Sequence, residues 1–283
     1  MKSSVLTFIA LIAFAGNSIL CRIALGEKQI DAAGFTVIRL ISAAIFLYFL
    51  VFFNKRTDKS PLNYGSWWSS IMLFIYAICF SFAYLTLDTG TGALILFGSV
   101  QLCMLTISKL SGERFSSLAL IGLLTALIGF IYLVFPTLTT PSLIGFVLMS
   151  LSGVAWGLYT LAGKGVKQPS AETSMNFIRT LPLALIALPF VDFSIITTKG
   201  LISAIVSGVV TSGIGYIIWY KALPLLTGIQ AAASQLLVPV IAAIGGFLFL
   251  SEPFTTRLVI ASLLILGGVF LVSFTKSNNK SPD

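Results

Sequence analysis

The chain has 283 residues, of which 57% are hydrophobic and only 9% charged. Soluble domains run near 25% charged, so this composition excludes an ordinary globular protein and points to a polytopic helical membrane protein. The formal net charge of +8 raises nucleic acid as a partner, but no basic patch with interleaved aromatics exists.

Histidine is absent, which removes histidine metal centres, Ser-His dyads and histidine proton relays. Cys21, Cys79 and Cys103 lie singly within apolar stretches and read as small hydrophobes, not as a disulfide framework or metal set. No cofactor and no metal site are expected.

Ten apolar runs qualify as spans in a window of about 19 residues. They are 4–25, 33–53, 66–87, 92–110, 116–135, 142–161, 173–190, 200–220, 228–250 and 256–274. The first starts like a signal peptide, with Met1-Lys2, an apolar core from Val5 to Ile12 and then Ala13-Phe14-Ala15. Its apolar run continues to Leu25, long enough to span, so it is read as a retained helix.

The second span, GFTVIRLISAAIFLYFLVFF from Gly34 to Phe53, carries Arg39 about two turns in. A charge at a helix centre costs at least about 2.5 kcal/mol by insertion scales, and less near an end. The pattern returns in the seventh span as MNFIRTLPLALI from Met175 to Ile186, with Arg179 placed 140 residues after Arg39. Trp67 and Trp68 open the third span as interface anchors. Gly90 and Gly92 open the fourth, Gly208, Gly213 and Gly215 punctuate the eighth, and Gly245-Gly246 sit in the ninth. Such glycines permit close helix packing or hinge bending. Pro182 and Pro239 lie inside the seventh and ninth spans, where kinks free backbone carbonyls.

Lysines and arginines orient the chain. With the N-terminus inside, eleven fall on the cytoplasmic side: Lys2, Lys55, Arg56, Lys59, Lys109, Arg114, Lys164, Lys167, Lys221, Lys276 and Lys280. Four, Arg22, Lys28, Lys199 and Arg257, fall outside, and two lie within helices. This positive-inside bias places both termini in the cytoplasm.

The halves also correspond elsewhere. Ser111-Gly112-Glu113 matches Leu250-Ser251-Glu252, and Leu127-Ile128-Gly129-Phe130 matches Leu266-Gly267-Gly268-Val269, each 139 residues on. Ala15-Gly16 falls opposite Trp156-Gly157. Five spans per half is an odd number, so the second half enters the membrane inverted. The expectation is an all-α integral membrane protein: ten transmembrane helices as two inverted five-helix repeats, 1–138 and 139–276, around a central cavity. The polar tail 277–283 is expected to be disordered.

The chain resembles the EamA family of the drug/metabolite transporter superfamily over nearly all of both halves. The resemblance rests on Val37-Ile38-Arg39-Leu40, Phe177-Ile178-Arg179-Thr180, Trp156-Gly157, Val238-Pro239-Val240, Glu113 and Glu252. It implies a cavity between the halves that opens alternately to each side, and export of amino acids and related metabolites. Two departures stand out. Ala15-Gly16-Asn17 replaces the expected tryptophan before the glycine, and Gly98-Ser99-Val100-Gln101 lacks an expected proline.

The candidate substrate-binding residues are Asn17, Arg39, Tyr84, Gln101, Trp156, Asn176, Arg179 and Tyr216. Each arginine either faces the cavity and holds a carboxylate or phosphate through forked hydrogen bonds, or is a structural pin near an interface. Asn17, Gln101, Asn176 and Gln235 either orient a solute or bond across helices for about 0.6 kcal/mol. Asn176 shares a helix face with Arg179, three residues on. Tyr84, Trp156, Tyr159, Tyr216 and Tyr220 need polar partners and suit a cavity wall. Asp88 follows the third span, and no carboxylate lies plainly at the midplane, which leaves proton coupling open.

The leading function is a secondary transporter, working outward, of a small metabolite such as an amino acid or related amphipathic solute. Alternatives are another solute class (an organic anion, a nucleotide-like solute or a drug), a passive channel, or a membrane-embedded enzyme. The enzyme lacks a nucleophile–base pair or an acidic cluster. The partners expected are a small-molecule substrate and the lipid bilayer, with no nucleic acid, and both monomer and homodimer fit. The location expected is a bacterial cytoplasmic membrane.

Overall fold

The computed structural model describes residues 2–53, 63–87, 89–110, 116–134, 143–250 and 256–273, and no strand occurs among them. Asp88, Glu113, Glu252, the basic residues 55, 56, 59, 114, 276 and 280, the 138/139 boundary and the tail 277–283 lie outside the described residues.

The helices are α1 (Lys2–Gly26), α2 (Ala32–Phe53), α3 (Trp67–Ala83), α4 (Thr89–Leu110), α5 (Ser117–Val134), α6 (Leu143–Ala162) and α7 (Pro169–Ala187). They continue as α8 (Thr198–Val206), α9 (Gly215–Ala222), α10 (Gly228–Gln235), α11 (Leu237–Leu250) and α12 (Thr256–Ser273). Their starts are written locally. Ser66 caps α3 through the Ser69 amide, Thr197 caps α8 through the Gly200 amide, and Thr227 with Gln230 forms a capping box on α10. Pro169 occupies the first turn of α7, where its missing N–H costs nothing.

One expected span is built differently from the single helix foreseen, and another breaks where its proline was expected to kink it. Between α8 and α9 the chain runs through a π-helical stretch, Ser207–Ile214, without leaving the helix axis. The ninth span breaks at Leu236, between α10 and α11. Pro239 explains the break: it has no N–H to offer the Gln235 carbonyl, and its ring crowds that carbonyl. Pro182, by contrast, sits inside a continuous α7.

Six helical stretches are long and apolar enough to cross a bilayer, and three shorter apolar helices, Trp67–Ala83, Ile95–Met104 and Ser117–Gly129, accompany them. This is a multi-pass helical membrane protein. Its outer surface is apolar, with Phe8, Ile45, Phe49, Leu143, Phe190 and Leu263 all exposed, as lipid contact requires. Among the described residues the largest pairings are α5 with α12, α3 and α4 with α6, α2 with α7, and α1 with α9 and α11. α3 also touches α7, and α8 touches both α1 and α2.

Small residues set the closest approaches. A Cβ on Gly208 would overlap the Arg39 carbonyl, and one on Gly153 would overlap the Leu96 carbonyl. The interior is aromatic and, unusually for a lipid-embedded core, contains a guanidinium. Trp219, Tyr159, Tyr216, Tyr220, Phe35, Phe80, Phe177 and Arg39 are among its largest fully buried side chains.

Candidate functional site

Arg39 is only 1% exposed. Its Nε donates to Ser212 Oγ at 2.9 Å, and its Nη2 donates to Tyr216 Oη at 2.7 Å and Tyr76 Oη at 3.3 Å. The guanidinium also sits 5.2 Å from the Tyr76 ring centre and 5.9 Å from that of Phe80, within cation–π range. Its Nη1 is buried without a hydrogen-bond partner. Every partner named is uncharged.

Asn17, 2% exposed, extends this network from α1. Its Nδ2 donates to Tyr76 Oη at 3.3 Å, and its Oδ1 accepts from Ser207 Oγ at 2.5 Å and Thr211 Oγ1 at 3.4 Å. The π-helical stretch makes this geometry available. Its wider turn, closed by i→i+5 bonds, brings Ser207, Thr211 and Ser212 round to the side facing α1 and α2. Five segments therefore converge on one polar knot: α1, α2, α3, the π stretch and α9.

Aromatic side chains wall the knot. Trp156 lies 4.7 Å from Tyr216, 4.9 Å from Tyr76, 5.1 Å from Phe14 and 5.6 Å from Tyr159, between ring centres. Its Nε1 donates to Gln235 Oε1 at 2.7 Å, next to the break in the ninth span. Gln235 Nε2 in turn donates to the Ala231 carbonyl at 3.2 Å and to Met104 Sδ at 3.3 Å. Gln101 Nε2 donates to the Ala232 carbonyl at 2.9 Å, and Gln101 Oε1 is buried without a partner. Tyr84, at the end of α3, is buried with its ring 4.8 Å from Phe80.

Asn176 and Arg179 lie elsewhere. Both face the connection that leads into α3. Arg179 Nη1 donates to the Tyr64 carbonyl at 2.6 Å, Asn176 Oδ1 accepts from the Ser66 amide at 3.0 Å, and Glu172 Oε2 accepts from the Gly65 amide at 2.6 Å. Gly65 adopts a φ of +68°, which glycine takes without a Cβ penalty.

A second interlock joins the α1–α2 connection to the segment between α7 and α8. The Thr197 amide donates to the Gln29 carbonyl at 2.9 Å, the Asp192 amide to Asp31 Oδ2 at 3.2 Å, and Lys199 Nζ pairs with Glu27 Oε2 at 2.5 Å. Asp192 also accepts from the Ser194 amide and hydroxyl, and these bonds hold its carboxyl below the usual range. The two interlocks lie at opposite ends of α7, since one engages its first turns and the other the segment that follows it.

The structure thus brings Asn17, Arg39, Trp156 and Tyr216 together, sets Tyr84 beside Phe80 and Gln101 against α10, and places Asn176 and Arg179 against the connection into α3. Tyr76, Ser207 and Ser212 were not among the sequence candidates. Tyr76 had a signal: it stands 140 residues before Tyr216, as Arg39 stands before Arg179. Asn17 and Arg39 share α1 and α2 with no acidic partner among the described residues, and no cluster there can hold a metal ion.

A packed bundle of membrane-crossing helices with a buried polar knot defines the class, a multi-pass membrane protein. Residues 143–274 match the EamA-like transporter family. Uncharacterized protein PA1977 of Pseudomonas aeruginosa is 47% identical over 272 residues, covering 96% of this chain and 94% of that protein. Two proteins described as uncharacterized transporters also align. YoaV of Bacillus subtilis is 22% identical over 90% of this chain and 91% of its own, and one from Archaeoglobus fulgidus is 24% identical over 96% and 97%. A solved crystal structure superposes with a TM-score of 0.78 at 17% identity, covering 96% of both chains, and so shares the fold. The chain belongs to the EamA-like transporter family.

Proposed function

We propose that this protein is a secondary transporter, not an enzyme, that moves a small metabolite such as an amino acid or related amphipathic solute outward across a bacterial cytoplasmic membrane. It works by alternating access between two inverted halves, 1–138 and 139–276, with both termini cytoplasmic. The observation that carries the reading is the buried knot of Asn17, Arg39, Tyr76, Ser207, Ser212 and Tyr216, set between an interlock at either end of α7.

The helix pairing supports the inverted repeat. Exchanging the halves turns α3 on α6 into the α8–α9 span on α1, α4 on α6 into α11 on α1, and α3 on α7 into α8 on α2. The pairs α2 with α7 and α5 with α12 map onto themselves. The same exchange relates the two interlocks. Transport follows if one interlock opens while the other stays closed, exposing the knot to one side at a time. The outward direction is carried by the family resemblance, and the orientation by the eleven-to-four bias of basic residues.

Purified protein in proteoliposomes tests this reading. Metabolites that raise the thermal unfolding midpoint are loaded inside, and uptake of the labelled solute is followed. Saturable counterflow is expected for at least one. Non-saturating flux proportional to the gradient would indicate a pore, and chemical conversion of the solute would indicate an enzyme.

A further inference from the structure

We infer that Arg39 is the recognition point for one negative charge, so that the transported solute is an organic monocarboxylate with an apolar or aromatic body. This inference rests on the transporter reading and names the solute class for that same site. Three observations carry it.

The first is charge. Arg39 is 1% exposed, its hydrogen-bond partners Ser212, Tyr76 and Tyr216 are all neutral, and no carboxylate pairs with it among the described residues. A guanidinium inside a membrane protein ordinarily pairs with an acid or lines a solute path. Asn17, the nearest polar neighbour on α1, adds hydrogen-bonding capacity without charge.

The second is the unfilled donor. Hydroxyls occupy Nε and Nη2, whereas Nη1 is buried with no partner. The two N–H groups of Nη1 are therefore left for an acceptor, and a carboxylate oxygen reaching them makes a charge-assisted hydrogen bond. Tyr76 and Tyr216 accept from Arg39 through their oxygens and bring no charge of their own to the guanidinium. The two Nη1 donors share one point, with a single positive charge behind them.

The third is the wall. Trp156, Phe14, Tyr76 and Tyr216 pack with ring centres 4.7–5.8 Å apart around the knot. These rings pack on one another and would bound an apolar body where they part, and among the described residues no second cation contacts Arg39. A phosphate dianion would leave one charge unmatched, and a bare ammonium would meet repulsion from Arg39. A monoanion with an apolar body satisfies both the charge and the wall.

The test uses purified full-length protein and matched probes that differ only at the head group: phenylpropanoate, phenylpropanamide and phenylpropylamine, and leucine against leucinamide. Binding is read from the shift in thermal unfolding and from tryptophan fluorescence. At least one acid is expected to bind about tenfold tighter than its amide or amine, the worth of one charge-assisted contact. Arg39→Gln should reduce that preference to about one, and Arg39→Lys, which keeps the charge but not the planar set of donors, should fall between.

Equal binding of acid and amide, preference for the amine, tight binding of inorganic phosphate, no binding by any probe, or a preference that survives Arg39→Gln would each overturn the inference. If Arg39→Gln does not fold, the comparison of head groups on the unmodified protein decides alone. Failure here stays distinguishable from failure of the transporter reading: an amine or phosphate that undergoes saturable counterflow keeps the carrier and removes the carboxylate.

Discussion

Arg39 and Arg179 occupy matching sequence positions, yet the protein treats them oppositely. Arg39 is sealed at the meeting point of five helical segments and shared by Tyr76 and Tyr216, which are themselves 140 residues apart. Arg179 is only partly buried and donates to the Tyr64 carbonyl, fastening the connection into α3. The difference teaches that two matching sequence positions can carry the same side chain in unlike environments. Once both tyrosines have turned to one arginine, the other is left to serve the end of the bundle. A site built on this asymmetry presents one buried positive charge instead of two.

The glycine beside each arginine gives the largest test of that contrast. Gly208 lies against the Arg39 carbonyl and Ser42 Oγ, so Gly208→Leu must push α2 away from the π stretch. The expected loss is about 3 kcal/mol or more, seen as a missing folded peak in size-exclusion chromatography. Gly65 lies against Arg179 Nη1 and Asn176 Oδ1 with φ +68°. Gly65→Ala should cost less, about 1–2 kcal/mol for the left-handed backbone, and leave a folded protein that unfolds at lower temperature. Gly98, with open space around it, supplies a control whose change to Ala should do almost nothing.

Substituting the arginines themselves comes next. Arg39→Gln removes charge-assisted bonds at the centre and should lower counterflow by about 10- to 100-fold. Arg179→Gln removes the bond to the Tyr64 carbonyl, away from the knot, and should lower it by less, about fivefold. Equal losses from the two would break the contrast, because they would make both arginines part of one solute site.

Much of the bundle is legible in the sequence because lipid imposes a severe rule: apolar runs must be long enough to satisfy their own backbone. The long apolar helices and the costly arginine both follow from it. Hydropathy does not encode helix rotation, and so Arg39 and Arg179 looked alike. Nor does it encode the π stretch, whose Ser207, Thr211 and Ser212 are small polar residues that an α-helix would spread over more of its surface. Tyr76 was passed over for the same reason: one tyrosine in the apolar α3 resembles any other until its hydroxyl is seen to receive both Asn17 and Arg39. Asn176 shared a face with Arg179 as expected, but that face closes on the connection into α3 instead of on the knot.

The two tyrosines sharpen the comparison further. Tyr216 Oη is 2.7 Å from Arg39 Nη2, whereas Tyr76 Oη is 3.3 Å away and also receives Asn17. Tyr216→Phe should therefore weaken solute binding more than Tyr76→Phe, by about 1.5 kcal/mol against about 0.5–1 kcal/mol. Titration of the solute into each variant measures both. The reverse order would place Tyr76, and with it α3, as the principal support of the guanidinium.

The smallest effect belongs to the exposed interlock. Lys199 and Glu27 form an ion pair with both side chains about half exposed, at 56% and 45%. Such a pair is worth at most about 1 kcal/mol and is screened within about 8 Å at physiological salt. Lys199→Ala should leave the unfolding midpoint almost unchanged, because Thr197 and Asp192 keep their bonds across the same junction. Its effect should appear instead in the rate at which that end opens, read by the accessibility of a cysteine placed at position 194 to a water-soluble thiol reagent. Faster labelling at low salt, converging with the unmodified pair as salt rises, is the expected pattern. Salt-independent labelling would mean that the bonds of Thr197 and Asp192 to Gln29 and Asp31 hold this end without the ion pair.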